Sequence, residues 1–455
     1  MYNKKIIFPF IILLLVSCSG LKRPTNIIRT STETEIADLN VDFYPESIVV
    51  SPDVRHIAYA EDVYSGVRIV VDTVAHERYD DIGSVITFNP SCNSVAYFVY
   101  HIGYAGGIFG LFARDPYWEV IESNRTYGPY INLLNKSLVF SPDGKHIAYS
   151  VMYGYSAMVY YDHTELPDNV PHGDSTVDSV YIADVYPPFH FSPDSKKFAY
   201  VAEVLEHDTD NSRYSVIVNN NANKSYYDIF PHSLTFSPNS EKLAYVVKDS
   251  IHERVVVNEE ELAAYEAIAE STLQFSPDSE HLAYAAFEDE GWYVVRDEIK
   301  STSYDDIGQI LFSPDGKHLA YSAQDGEDWI VMLDKKEISR HTALIEKSLA
   351  FSPDSKHLVY AVAADTGIVI YEDAKPIASY EALVTTPIFS PDGKYLVYTV
   401  GDNTSQAVVV NGMKGQPYPA IISHNGGRVV FDDANSIHYL AVKDDNKVYL
   451  VEEQF

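Results

Sequence analysis

One ten-residue element, repeated along almost the whole chain, constrains its fold more than any other feature. It reads as an apolar or aromatic residue, Ser-Pro-Asp-Gly/Ser, Lys or Glu, a variable residue, an aliphatic, Ala or Val, and Tyr. Copies start at Val50, Phe88, Phe140, Phe191, Phe236, Phe275, Phe312, Phe351 and Phe389, with a degenerate tenth at Phe431. The starts are separated by 38, 52, 51, 45, 39, 37, 39, 38 and 42 residues, the span of one small supersecondary unit each.

The element is a hairpin turn between two strands. In Ser313-Pro314-Asp315-Gly316 proline presets φ for a type I turn, and Ser and Asp can hydrogen-bond nearby backbone. Period-2 apolar positions flank it, Ile310 and Phe312 before, Leu319 and Tyr321 after. Tyr recurs nine residues into nine copies, from Tyr59 and Tyr97 to Tyr360 and Tyr398, and is expected to wedge one unit against the next.

A β-branched run such as Val255-Val256-Val257-Asn258 follows in most units. Then comes Tyr with an aliphatic three residues on, as in Tyr79 and Ile82, Tyr265 and Ile268, or Tyr304 and Ile307. Each unit thus carries four short strands, and four antiparallel strands repeated about every 40 residues form a blade of a β-propeller.

The all-β chain is therefore expected to be a β-propeller of about ten four-stranded units over 41–455. The chain stops at Val448-Tyr449-Leu450-Val451, a third strand lacking its fourth, and Val41 to Tyr44 is expected to supply that strand. Sharing a blade between the termini closes a ring and leaves no open edge. Two smaller rings are the alternative, but the spacing is most regular around Glu261 to Ser271, where a five-plus-five boundary would fall.

The element, for instance Phe140 to Tyr149, resembles the WD-like repeat of the TolB-type propeller family, and related repeats occur in propellers of prolyl-oligopeptidase-like peptidases. The resemblance covers about residues 40 to 455. Departures are Asn89-Pro90-Ser91-Cys92, Asn239 at the turn Asp, and the proline-free last copy from Phe431. TolB-type proteins carry a further N-terminal α/β domain, for which the residues before the first repeat leave no room.

Residues 1–17 read as a lipoprotein signal peptide: Lys4 and Lys5, an apolar stretch from Ile6 to Val16 too short to span a bilayer, then Ser17 and Cys18. Leu15-Val16-Ser17-Cys18 resembles a bacterial lipobox, which implies lipidation of Cys18, with 18–40 as a lipidated N-terminus and linker. The resemblance places the protein in the cell envelope, and Ser19, where an inner-membrane retention signal would carry Asp, points to the outer membrane if there are two. A net charge of −32 excludes nucleic acid as a partner. With Cys18 lipidated, Cys92 is left as the one thiol, so stability must come from the packed core.

No Walker loop, dinucleotide fingerprint, zinc pattern or metalloprotease helix occurs, and the nearest approach to a nucleophile elbow, Gly154-Tyr155-Ser156-Ala157-Met158, lacks the second glycine. His56, His146, His281, His318 and His357 fall six residues after their copy starts; alternation puts them on the polar side of a strand, one per blade, too dispersed for one metal. Asp208, Asp210 and Asn211 lack the closing glutamate of a calcium loop. No cofactor is expected, and a metal site is not assigned; calcium held by several blades is compatible with the sequence but unsupported by it. The candidate binding surface is the aromatic insertion of the second unit, Tyr100, Tyr104, Phe109, Phe112, Tyr117 and Trp118 among glycines, which fits a recognition surface or a repacked blade.

The expected function is a membrane-anchored envelope lipoprotein whose propeller is a protein-interaction or scaffolding module for envelope proteins the sequence does not name. Binding is expected rather than catalysis. The alternative is a ligand-binding or glycan-binding protein, or an enzyme, with its site in the central channel; a peptidase-associated propeller is a third reading.

Overall fold

The computed structural model describes residues 23, 27–39, 42–103 and 115–455, apart from 124, 135, 155, 172–178, 206–211 and 403. Their strands form ten antiparallel sheets, nine of them in sequence order and the tenth completed by the N-terminal strand, arranged as the blades of one ten-bladed β-propeller.

Blade 7 shows how the repeat becomes a sheet. Its strands are Asp306–Phe312, Leu319–Asp325, Asp328–Leu333 and Lys336–His341. The second begins with five consecutive buried residues, Leu319 to Ala323, because a neighbouring blade covers each face. A strand covered on both faces reads as a continuous apolar run. The fourth strand carries no fully buried residue and forms the outer rim. The first strand is bulged, or broken in two by a short turn such as Pro231–Ser233 in blade 5.

The repeat tyrosine is the wedge expected of it. Tyr97, Tyr149, Tyr200, Tyr245, Tyr284, Tyr360 and Tyr398 are at most 1% exposed. Each wedge meets the blade before it. Tyr284 packs edge-to-face on Tyr265, Tyr321 on Tyr304, Tyr398 on Tyr380 and Tyr439 on Tyr418, with centroids 5.7–6.1 Å apart. Edge-to-face pairs contribute about 0.5–1.5 kcal/mol beyond their buried area. The second tyrosine of the sequence pattern is thus the partner of the first, across a blade junction.

Closure follows the expected logic but uses a different segment. The C-terminal strand Lys447–Gln454 is the third of blade 10, and its fourth is Thr30–Asp38, paired antiparallel from Thr30 with Gln454 to Asp38 with Lys447. The segment expected to close the ring turns instead into blade 1, where Phe43 bridges to Glu61 and Asp62 N donates to Asp42 O. Thr30–Asp38, read from sequence as linker, therefore belongs to the ring. Polar alternation hid it: Thr-Ser-Thr-Glu-Thr-Glu is the solvent-facing edge of an outer strand. Across the closed junction Val50 N donates to Asn425 O, and Arg55 pairs with Asp432 and Glu452.

Candidate interaction surfaces

The polar residues of the repeat satisfy one another. In blade 7 Ser313 Oγ donates to Asp315 Oδ1 at 2.6 Å and accepts from His318 N, while Asp315 also accepts from Lys317 N. The Ser hydroxyl, then the backbone N–H two residues on, hold the carboxyls of Asp315 and Asp194 below the ordinary Asp value, Asp194 at about 2. Where the fourth turn residue is serine, it ties to the blade before. Ser195, Ser240, Ser279 and Ser355 accept from the backbone N–H of Asp143, Asp194, Asn239 and Asp315.

The five expected histidines each meet an aspartate sixteen residues on. Nδ1 of His56, His146, His281, His318 and His357 lies 2.6–2.9 Å from Asp72, Asp162, Asp297, Asp334 and Asp373. Each Asp sits at φ between 47° and 56°, in the turn joining the third and fourth strands. Asp and Asn tolerate this left-handed conformation better than other side chains. The other carboxylate oxygen accepts from the backbone N–H following the histidine.

Three copies without histidine carry asparagine there: Asn219, Asn258 and Asn411 keep the backbone bond, opposite Lys197, Lys242 and Tyr395. The histidines are thus structural fasteners, one in each of five blades. The His–Asp spacing was in the sequence, and counting sixteen residues on would have found it.

Among the described residues, His357, Glu372 and Asp373 are the one cluster of three side chains able to ligate a metal. Arg23 engages Glu372 through two hydrogen bonds of 2.9 and 2.5 Å, and its guanidinium lies over Phe389 of blade 9. The nearest approach to a nucleophile elbow is a hairpin turn: Gly154, at φ 65°, follows strand Ile147–Tyr153, and Ser156 starts the next.

Of the aromatic insertion, Tyr104, Phe109 and Phe112 lie outside the described residues, as do Asp208, Asp210, Asn211 and Cys18. Tyr100 and Trp118 face each other across the second and third strands of blade 2, ring centroids 5.0 Å apart, and Trp118 packs on the core between blades 2 and 3. On the opposite face Tyr117 stacks on His101 at 4.5 Å, and His101 reaches Glu119 at 2.8 Å. Tyr100, Tyr117 and Trp118 are half-buried, so the described part is a packed strand end with aromatic edges showing.

A cleft of about 560 Å³ opens at the rim between blades 6 and 7. Its walls carry Val294, Leu319, Met332 and the hydroxyl-paired Tyr304 and Tyr321. Blade 6 has a fourth strand of only two residues, Ile299–Lys300, which leaves this junction uncovered. At the junction of blades 9 and 10 the fourth strand Met413–Lys414 is equally short, and the chain itself covers it. Ile27 is buried there with Val408, Tyr418, Tyr439 and Val451. Arg29 donates from Nη1 to Val408 O and Met413 O at 3.0 and 2.9 Å, and from Nε to Glu453 at 2.6 Å. Sequence reasoning missed Ile27 and Arg29; an apolar pair and an arginine in a polar stretch were their only signal.

No protein-family model matches the sequence, and no curated protein does. Among similar solved structures are the crystal structure of the eukaryotic initiation factor, at 12% identity over 76% of this chain and 90% of that one, TM-score 0.46, and TolB from Acinetobacter baumannii, at 14% over 66% and 78%, TM-score 0.27. Dipeptidyl peptidase 4 of Porphyromonas gingivalis is 13% identical over 79% of this chain and 65% of that one, TM-score 0.40. These likenesses concern the fold alone, and the ten blades rest on the strand pairing described above.

Proposed function

We propose that the protein is a cell-envelope lipoprotein, held at a membrane through Cys18, whose propeller is a protein-interaction or scaffolding module. The observation that carries this reading is the open rim cleft between blades 6 and 7, an apolar concavity beside polar repeat residues already engaged with one another. Exposed apolar concavities of this kind mark binding surfaces. The lipobox-like Leu15 to Cys18 supports the anchor, and the outer membrane is the proposed site where there are two membranes. Among the described residues no helix is long and apolar enough to cross a membrane.

Photo-crosslinking in intact envelopes, with probes at the rim of blades 6 and 7, is expected to recover a defined partner. Recovery of nothing beyond what a lipidated control protein captures would overturn the interaction role. Cys18→Ser should move the protein from the membrane to the soluble fraction of lysed cells; unchanged fractionation would overturn the anchor.

A further inference from the structure

The cleft between blades 6 and 7 is the unfilled counterpart of the one that Ile27 and Arg29 fill. Counting from the left-handed turn residues, Asp297 and Asn411, places Val294 opposite Val408, Ile299 opposite Met413, Ser301 opposite Gly415 and Tyr304 opposite Tyr418. On the facing blade Tyr321 matches Tyr439, and strand pairing then matches Met332 with Val451 and Asp334 with Glu453. The apolar floor is retained. The two backbone carbonyls are retained as well, and the carboxylate is the shorter Asp334, whose oxygens accept from Leu319 N and His318 Nδ1 and keep lone pairs for a further donor.

One position differs in a way that selects the occupant. A Cβ at Gly415 would lie 2.4 Å from Arg29 Nη2, so glycine is what admits the flat guanidinium. Ser301 stands in its place, with its hydroxyl donating to Thr302 O and accepting from Val294 N. A compact ammonium needs less width than the guanidinium fork. Two of the three cations lining the cleft are already engaged: Arg296 donates to Gly316 O and Lys317 O and lies 3.6 Å from Asp297, and Lys300 pairs with Glu288. Lys335 stands on the rim, next to Asp334 in the turn.

We propose that this cleft binds an extended segment of a partner protein carrying an aliphatic residue and, two positions on, a lysine. The aliphatic side chain lies on Val294, Leu319 and Met332, and the ammonium meets Val294 O, Ile299 O and Asp334. The proposal rests on the interaction role above and names the chemistry of its partner.

The test uses fluorescence anisotropy on the purified protein with two labelled nonapeptides, Pro-Thr-Asn-Ile-Ile-Lys-Thr-Ser-Thr and the chain's own version with Arg in place of Lys. The Lys peptide should bind at least about tenfold more tightly than the Arg peptide, a factor of ten being ~1.4 kcal/mol. Ser301→Gly should bring the Arg peptide to the affinity of the Lys peptide. Ile299→Arg and Thr302→Trp, both at exposed positions and so compatible with folding, should abolish binding of either.

Absence of binding, binding untouched by the two blocking variants, or equal binding of a Glu peptide would overturn the site. Dimerisation that depends on Ile27 and Arg29 would replace the partner by a second copy and overturn it likewise. Failure here with a partner still crosslinked in envelopes would remove this cleft and leave the interaction role standing.

Discussion

The junctions between blades 9 and 10 and between blades 6 and 7 are built from the same positions and end in different states. At the first, Ile27 and Arg29 complete the wall, and Arg29 pairs with a Glu453 whose side chain is 3% exposed. At the second, the same walls stand open around about 560 Å³. The repeat builds a junction up to its third strand; what covers the rim depends on residues outside the repeat. A propeller can therefore close itself at one junction and leave another open, with the inner structure unchanged.

Breaking the filled junction should have the largest effect. Arg29→Ala or Glu453→Ala leaves a buried charge unpaired and should cost about 3–5 kcal/mol. Urea unfolding checks it, and the Arg29→Met, Glu453→Gln double variant should recover much of the loss. Equal effects from Asp334→Ala at the open junction would erase the contrast.

A third junction has a titratable fastener. His190 of blade 4 bonds Pro231 O at the start of blade 5, and burial, opposed by that bond, pushes its pKa down to about 4. The unfolded chain then binds the extra proton between about pH 6.5 and 4, so stability is fully present above 6.5 and falls as pH drops. The shift corresponds to about 3 kcal/mol by pH 4. His190→Gln should flatten that slope relative to the native protein; an unchanged slope would sink the assignment.

Gly415→Ala should cost about 1–3 kcal/mol by pushing Arg29 off its carbonyls. The mirror change, Ser301→Gly, should shift the thermal midpoint far less, because nothing from the chain occupies that cleft. The smallest effect belongs to the His–Asp fasteners of the turns. Asp334→Asn keeps the turn and the bond to Leu319 N, as Asn411 does for Leu396, and loses only the exposed pair with His318. Calorimetry should show less than about 1 kcal/mol.

The blades were legible because their determinants are local. A Ser-Pro-Asp-Gly turn, a doubly covered run such as Leu-Ala-Tyr-Ser-Ala and an Asp at a left-handed turn each follow from a few adjacent residues. In the Tyr100 to Trp118 segment, a candidate surface on its composition, the described aromatics are half-buried. Trp118 is a packing residue because blade 3 lies against it, which the segment itself does not encode.

By itself the sequence determined the repeat, the strand order within a blade and the need to borrow one strand from the N-terminus. Only the tertiary structure decided that Thr30–Asp38 is that strand, that Ile27 and Arg29 cover one junction, and that another is left open. The physical reason is distance along the chain. Turns and strands are selected by near neighbours in the chain, whereas Arg29 is held by Val408, Met413 and Glu453, which lie 379, 384 and 424 residues away and meet it only once the ring has closed.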